Sequence, residues 1–231
     1  MTNAAQKFGT RTADAPGPPA HEVIYRALRD LILFGDLAPG QAVTINGLAE
    51  RLNAGMTPVR EAIRRLTSNG ALEFQGNRRV SVPRLTAEHV GELIIARQWL
   101  DPHLAVRATD RATPADVARL ESLDTKLDAA IAGGDLRVYL EQNYRFHAEI
   151  YRLAASPILA DLADGLWLRF GPSLRVVCGR MGTLNLPDKH KAALRAMRDR
   201  DAEAAAQAIR EDVIQGMEQV RQSLEQDAGS S

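Results

Sequence analysis

Apolar residues recur every three or four positions along most of this chain, the period of an amphipathic helix, and alternate every second position in only one short stretch. Val59, Ala62, Ile63 and Leu66 fall at i, i+3, i+4 and i+7, and they are preceded by Thr57-Pro58 and followed by Gly70. The pattern predicts a helix with Thr57 as N-cap, Pro58 at the first helical position, where its missing N–H costs nothing, and Gly70 as the closing residue. Thr57, Arg60, Arg64 and Arg65 take the opposite face. Upstream, Ile24, Ala27, Leu28, Leu31 and Ile32 predict a helix over 20–34, which the turn residues Gly35 to Gly40 end. Leu48 and Leu52, one turn apart, mark a second short helix over 46–52, and Ala54-Gly55-Met56 is a tight link into the third. Two short helices joined by a glycine-containing turn, the second of them basic, make a helix-turn-helix. After Gly70 the period changes: Leu72 and Phe74, then Val80 and Val82, alternate around Gly76-Asn77. That is a two-stranded wing with Arg78 and Arg79 at its tip.

From residue 86 the helical period returns and holds. Helices are expected over 86–109, 114–132, 136–154, 157–178, 187–199 and 201–225, joined by short links, which makes a six-helix bundle. The fold class is therefore mostly α, an N-terminal winged helix-turn-helix over 20–84 followed by an all-α six-helix bundle over 85–226. Residues 1–19, with Pro16, Gly17, Pro18 and Pro19, and residues 227–231 carry too little apolar surface to order themselves and are expected to be tails.

Composition changes this picture at one point. The formal charge of the 231 residues is zero, yet residues 21–84 hold nine Arg against six Asp and Glu (9 − 6 = +3), and residues 85–231 hold 18 basic against 22 acidic groups (18 − 22 = −4). The basic half is the half with the helix-turn-helix, as a phosphate-binding surface requires. Cys178 is the sole cysteine, so no intramolecular disulfide is available. No apolar run reaches a membrane span and no signal-peptide core is visible, so a cytoplasmic protein without membrane contact is expected.

Candidate chemistry lies where polar residues break the bundle's apolar stripes. Asn143 and His147, four apart, fall on the line of Leu136, Leu140 and Ile150; His190 falls on the line of Leu194 and Met197; Asp212 accompanies Ile209 and Val213. A buried imidazole or carboxylate is costly unless it is paired or holds a cation. Together these four residues form a convergent N/O set that suits a divalent ion such as zinc or nickel. Arg97 and Asp101, also four apart, interrupt the stripe of the first bundle helix. They are either an intrahelical ion pair or a guanidinium placed to grip an effector carboxylate. No nucleophile–base pair or phosphate loop accompanies the set, which argues against an enzyme. A metal-dependent enzyme with a fused DNA-binding module and a metal sensor are the rival readings.

Ile24-Tyr25, Leu28-Arg29, Ile32, Gly35, Leu37, Pro39-Gly40, Leu48-Ala49, Leu52 and Thr57-Pro-Val-Arg-Glu-Ala62 resemble the N-terminal domain of GntR-type bacterial transcription regulators over residues 21–83. The resemblance implies that Thr57, Arg60, Arg64 and the wing glycine Gly76 contact operator DNA, and Arg78 beside it is assigned the same role. The chain departs from that pattern at Gly55 and Met56, where the family usually has a hydroxyl residue and an arginine, so the family's operator preference does not carry over. Phe146-His147, Asp188-Lys189-His190 and the spacing to Asp201 and Asp212 resemble the FCD ligand-binding domain of the FadR subfamily over 86–225, and the helix count resembles its VanR-like branch. Metal-binding members use one Asp, a His four residues later and two further His. Here Asn143 stands at the Asp position and Asp212 at the last His position, so the carboxylate has crossed the site and the set keeps one negative charge. The resemblance implies a homodimer on a pseudo-palindromic operator, with a small organic acid effector beside the metal.

Overall fold

A computed structural model of the chain describes residues 19–181 and 189–229. Three helices build the first unit: α1 (Ala20–Leu33), α2 (Ile45–Arg51) and α3 (Met56–Ser68). Leu28 and Ile32 of α1, Leu48 of α2, and Val59, Ile63 and Leu66 of α3 meet in one buried core. Thr44 caps α2 by accepting from the Gly47 N–H at 3.0 Å. Helix α3 begins two residues earlier than the Thr57-Pro58 pair predicts. Gly55 is its N-cap, with no side-chain cap, and its carbonyl takes the first helical bond from Val59. Met56 is drawn into the helix because it packs on the core. Pro58 is tolerated in the third position because the N–H groups of a first turn have no helical acceptor in any case.

The wing is larger than the alternation predicts. Strand β2 (Glu73–Gln75) and strand β3 (Arg79–Ser81) form the expected hairpin, with Phe74 opposite Val80, but β1 (Ala42–Thr44) pairs antiparallel with the other edge of β3. The sheet order is β1-β3-β2, so the wing has three strands rather than two. Val43 faces Val80 across it. Gly76 turns the hairpin at φ +67°, a conformation that a residue without Cβ adopts freely.

The second unit is the predicted bundle of six described helices: α4 (Ala87–Arg111), α5 (Pro114–Gly133), α6 (Leu136–Leu153), α7 (Pro157–Met181), α8 (His190–Arg198) and α9 (Ala202–Gly229). Capping boxes start α4, through Thr86 and His89, and α5, through Thr113 and Asp116. Gly134, left-handed at φ +68°, ends α5. Helices α4 and α9 pack along each other, and α5 packs against both α6 and α8. Helix α9 continues to Gly229, past the expected helix end at 225 and the expected domain end at 226. Residues 187 and 188, expected to open α8, and residues 1–18 and 230–231 of the expected tails lie outside the described residues. The two units meet where α1 lies on α7.

Candidate functional site

The polar residues that break the bundle stripes converge. Helix α6 brings Asn143 and His147 to one side, α8 starts with His190, and α9 supplies Asp212. His147 Nε2 lies 3.1 Å from Asp212 Oδ2, and His190 Nε2 lies 3.7 Å from Asp212 Oδ1. Both imidazoles are almost fully buried, 1% and 2% exposed. The His190 ring stacks on Phe146 with centroids 3.9 Å apart, which fixes its plane. Burial drives the His147 imidazole below its ordinary range, and the attraction of Asp212 does not restore it. Burial opposes ionisation of Asp212, but the neighbouring His190 and His147 outweigh it and hold the carboxyl far below the carboxylate range. A neutral imidazole and an ionised carboxylate are the forms that bind metal.

The geometry suits a divalent ion. Ligand atoms of His147, His190 and Asp212 all lie within 4.8 Å of one another. Bonds of about 2.1 Å place neighbouring donors roughly 3.0–3.5 Å apart, close to the 3.1 and 3.7 Å that separate Asp212 from the two imidazoles. His147 Nδ1 is buried and meets no hydrogen-bond partner among the described residues. Asn143 lines the adjoining cavity of about 50 Å³, together with Asp212, Trp167, Phe170 and Met217.

Asp124 belongs to this cluster, and the sequence reading did not single it out. Its Oδ1 lies 3.4 Å from His190 Nδ1, while Lys191 reaches its other oxygen at 3.5 Å. A carboxylate on the far nitrogen of a ligating histidine orients the ring and selects its tautomer. The signal was present: Asp124 interrupts the α5 stripe of Val117, Leu120 and Leu127 at helical spacing, and it is 5% exposed.

Arg97 lines the same cavity, but Asp101 already holds it. Its Nε and Nη2 donate to Asp101 Oδ2 at 3.0 and 2.5 Å, and Tyr151 donates to the same oxygen at 3.0 Å. The guanidinium lies 4.4 Å from the Trp167 ring centroid. The intrahelical ion pair therefore forms, and a two-pronged grip on a ligand by the same donors is not available. Among the described residues Nη1 faces only the Met217 sulfur, at 4.0 Å, and is the donor left toward the cavity.

On the first unit, Thr57, Arg60 and Arg64 are exposed on α3, opposite its buried stripe. Arg64 pairs with Glu61 one turn away at 2.6 Å. Arg65, expected on that basic face, instead ties α3 to α1. It meets Glu22 at 3.0 Å and stacks over Tyr25 at 3.6 Å. Gly76, Arg78 and Arg79 are exposed at the end of the wing. The exposed arginines of α3 and of the wing form a basic edge that can meet a phosphate backbone.

Comparison with known proteins decides what this pairing of units is. The family model described as bacterial regulatory proteins, gntR family, matches residues 20–82, and the FCD domain model matches residues 92–215. The chain belongs to the GntR family of transcription regulators. Its relatives include the HTH-type transcriptional regulator McbR of Escherichia coli (strain K12), 30% identical over 187 residues, 80% of this chain and 85% of the relative. The galactonate operon transcriptional repressor of the same organism is 28% identical over 204 residues, 77% of this chain and 86% of the relative. The solved structure titled E. coli McbR/YncC superposes with a TM-score of 0.84 at 28% identity, covering 90% of this chain and 99% of that one. This GntR regulator is thus a transcription factor and not an enzyme. No helix among its described residues is long and apolar enough to cross a membrane.

Proposed function

We propose that this regulator is a cytoplasmic member of the FadR subfamily that binds a pseudo-palindromic operator as a homodimer, as a repressor, and answers to a small carboxylate effector bound beside a divalent metal. Residues 20–84 read the DNA, with Thr57, Arg60, Arg64, Gly76 and Arg78 at the contact, and residues 85–226 hold the effector and the dimer. The observation that carries this reading is the His147/His190/Asp212 trio, its two imidazoles buried and Asp212 half-buried, of which His147 and Asp212 line the cavity shared with Asn143, Arg97 and Trp167. His147, His190 and Asp212 would hold zinc or nickel, with the Asn143 amide as a weaker fourth donor. When bound, the ion supplies a positive centre that a carboxylate can ligate. Arg97 Nη1 would add one donor, and the aromatic wall would exclude water. The dimer is supported by Ile95 and Trp99 on α4 and Ile158 and Leu162 on α7. All four are more than half exposed, on two helices that pack together.

A second reading has its own support. The 3.1 Å approach of His147 to Asp212 is already a hydrogen bond, so the trio closes on itself as a polar cluster able to hold a ligand directly. Elemental analysis of purified protein, followed by thermal-shift screening of organic acids with and without chelator, separates the readings. In the metal reading, Asp212→Ala removes the only anionic donor and weakens binding in a chromophoric-chelator competition more than Asn143→Ala does. Asn143→Asp with Asp212→His keeps the ion. Equal loss in the two alanine variants, or a parent chain free of metal, leaves the polar-cluster reading.

A further inference from the structure

Helix α7 touches the cavity and the DNA-reading unit along two adjacent stripes. Trp167, Phe170 and Leu174, at i, i+3 and i+7, line the cavity. Asp164, Gly171 and Arg175, at i, i+7 and i+11, face α1. Asp164 takes Arg29 at 3.2 Å. Gly171 lies so close to α1 that a Cβ there would stand 2.5 Å from the Leu33 carbonyl oxygen. Arg175 donates to the Phe34 carbonyl at 3.4 Å, and its stem covers Gly35. From the same helix, Arg169 donates to the Asn69 carbonyl at 3.1 Å and lies over Gly70.

Phe34 and Asn69 are the C-caps of α1 and α3. The last carbonyls of a helix lack intrahelical donors and carry the negative end of its dipole, so a guanidinium is a matched partner. Helix α7 therefore holds the DNA-reading helix by its C-terminal end. A second link runs beside the first. Trp167 meets Tyr144 edge-on at 5.6 Å, and Tyr144 meets Phe34 at 6.0 Å. The Tyr144 hydroxyl accepts from Arg29 and donates to Asp164. The segment between the two arginines is also the easiest part of α7 to bend, because Pro172 lies inside the helix and cannot donate to the carbonyl four residues earlier.

We infer that α7 transmits occupancy of the cavity to the DNA-reading helix, with Arg169 and Arg175 as the positioning residues. Whatever fills the cavity presses on Trp167, Phe170 and Leu174 and bends α7 at Gly171-Pro172. The two arginines carry that bend to the ends of α3 and α1, which re-aims α3. A ligand acts this way only through a different affinity for the straight and bent forms. The inference rests on the proposed placement of the effector in this cavity.

The test is amide hydrogen exchange on the full-length chain, read at residues 32–36 and 66–72, with zinc alone as the probe. In the parent, adding zinc is expected to change exchange at both helix ends by at least about fivefold. In Arg169→Ala/Arg175→Ala the zinc response is lost while zinc content by elemental analysis is kept, and the double lysine variant restores part of it. A merely structural role would raise basal exchange and leave the response intact, and that result overturns the inference. So does a parent that takes up zinc without any response at these ends. If the parent takes up no zinc, the metal reading fails and Phe170→Ala serves in its place. A changed exchange at both ends in the parent background, absent in the double alanine background, supports transmission through α7. An equal change in both backgrounds, or none in the parent, overturns it.

Discussion

The two units treat their polar residues in opposite ways. Among the described residues of the DNA-reading unit, Ser81 is the one polar side chain that is buried, and the exposed Arg60, Arg64 and Arg78 carry its charge outward. The bundle buries Arg97, Asp101, Asp124, Gln142, His147 and His190. Apolar packing gives a core one shape, because every displaced methylene loses contacts and no new partner replaces them. Buried polar groups are costly, and their partners can be exchanged for a ligand. Reading DNA needs the first property, and the proposed response to an effector would need the second.

The largest effect that can break this contrast concerns Arg97. Arg97→Met leaves Asp101 buried without its cation and should cost about 3–5 kcal/mol, whereas Arg97→Met with Asp101→Leu should return close to the parent. Denaturant unfolding followed by the fluorescence of Trp167, which lies against Arg97, measures both. A single variant as stable as the parent would mean that the bundle's polar core is incidental. Next in size is Arg60→Ala, expected to weaken binding by ~1–3 kcal/mol to a duplex selected from a random library by the parent chain. Its melting temperature should not move, since Arg60 is exposed on α3. Unchanged DNA affinity in the folded variant rules out Arg60 as a base-reading contact. Smallest is Ile63→Val in the apolar core of α3, expected to cost about 0.5–1.5 kcal/mol. Zinc uptake measured on this variant should match the parent, and reduced uptake would show that the two cores are less separate than their composition.

The same contrast explains what the sequence made legible. Periodicity finds residues that repeat, so the stripes of α3 and α4 to α9 and the hairpin of β2 and β3 were readable, and so were His147, His190 and Asp212 as interruptions of stripes. Asp124 carried the same signal, but Asp116, Glu121 and Asp128 stand on the same helix, so one more carboxylate there reads as part of a solvated acidic face. Arg65 misled because periodicity assigns a face and does not say whether that face meets solvent or Tyr25 and Glu22. The pairing of Arg97 with Asp101 was readable as one of two options; choosing between them required the position of Tyr151 and Trp167, which come from other helices. The start of α3 at Met56 was hidden because the Thr57-Pro58 pair is the stronger local signal, and tertiary packing of Met56 overrode it.

The third strand of the wing also governs the order in which this unit can assemble. Thr44 is paired with Arg79, 35 positions later (79 − 44 = 35), and α2, α3 and the β2 hairpin strand all lie between them. Bringing distant segments together costs chain entropy that is recovered only once the intervening helices have condensed. Local helix formation and the hairpin come early on this account, and β1 zips onto β3 last. The wing would then acquire its full width only on a finished helix-turn-helix, so a nascent or partly unfolded chain would present the recognition helix without the complete surface beside it.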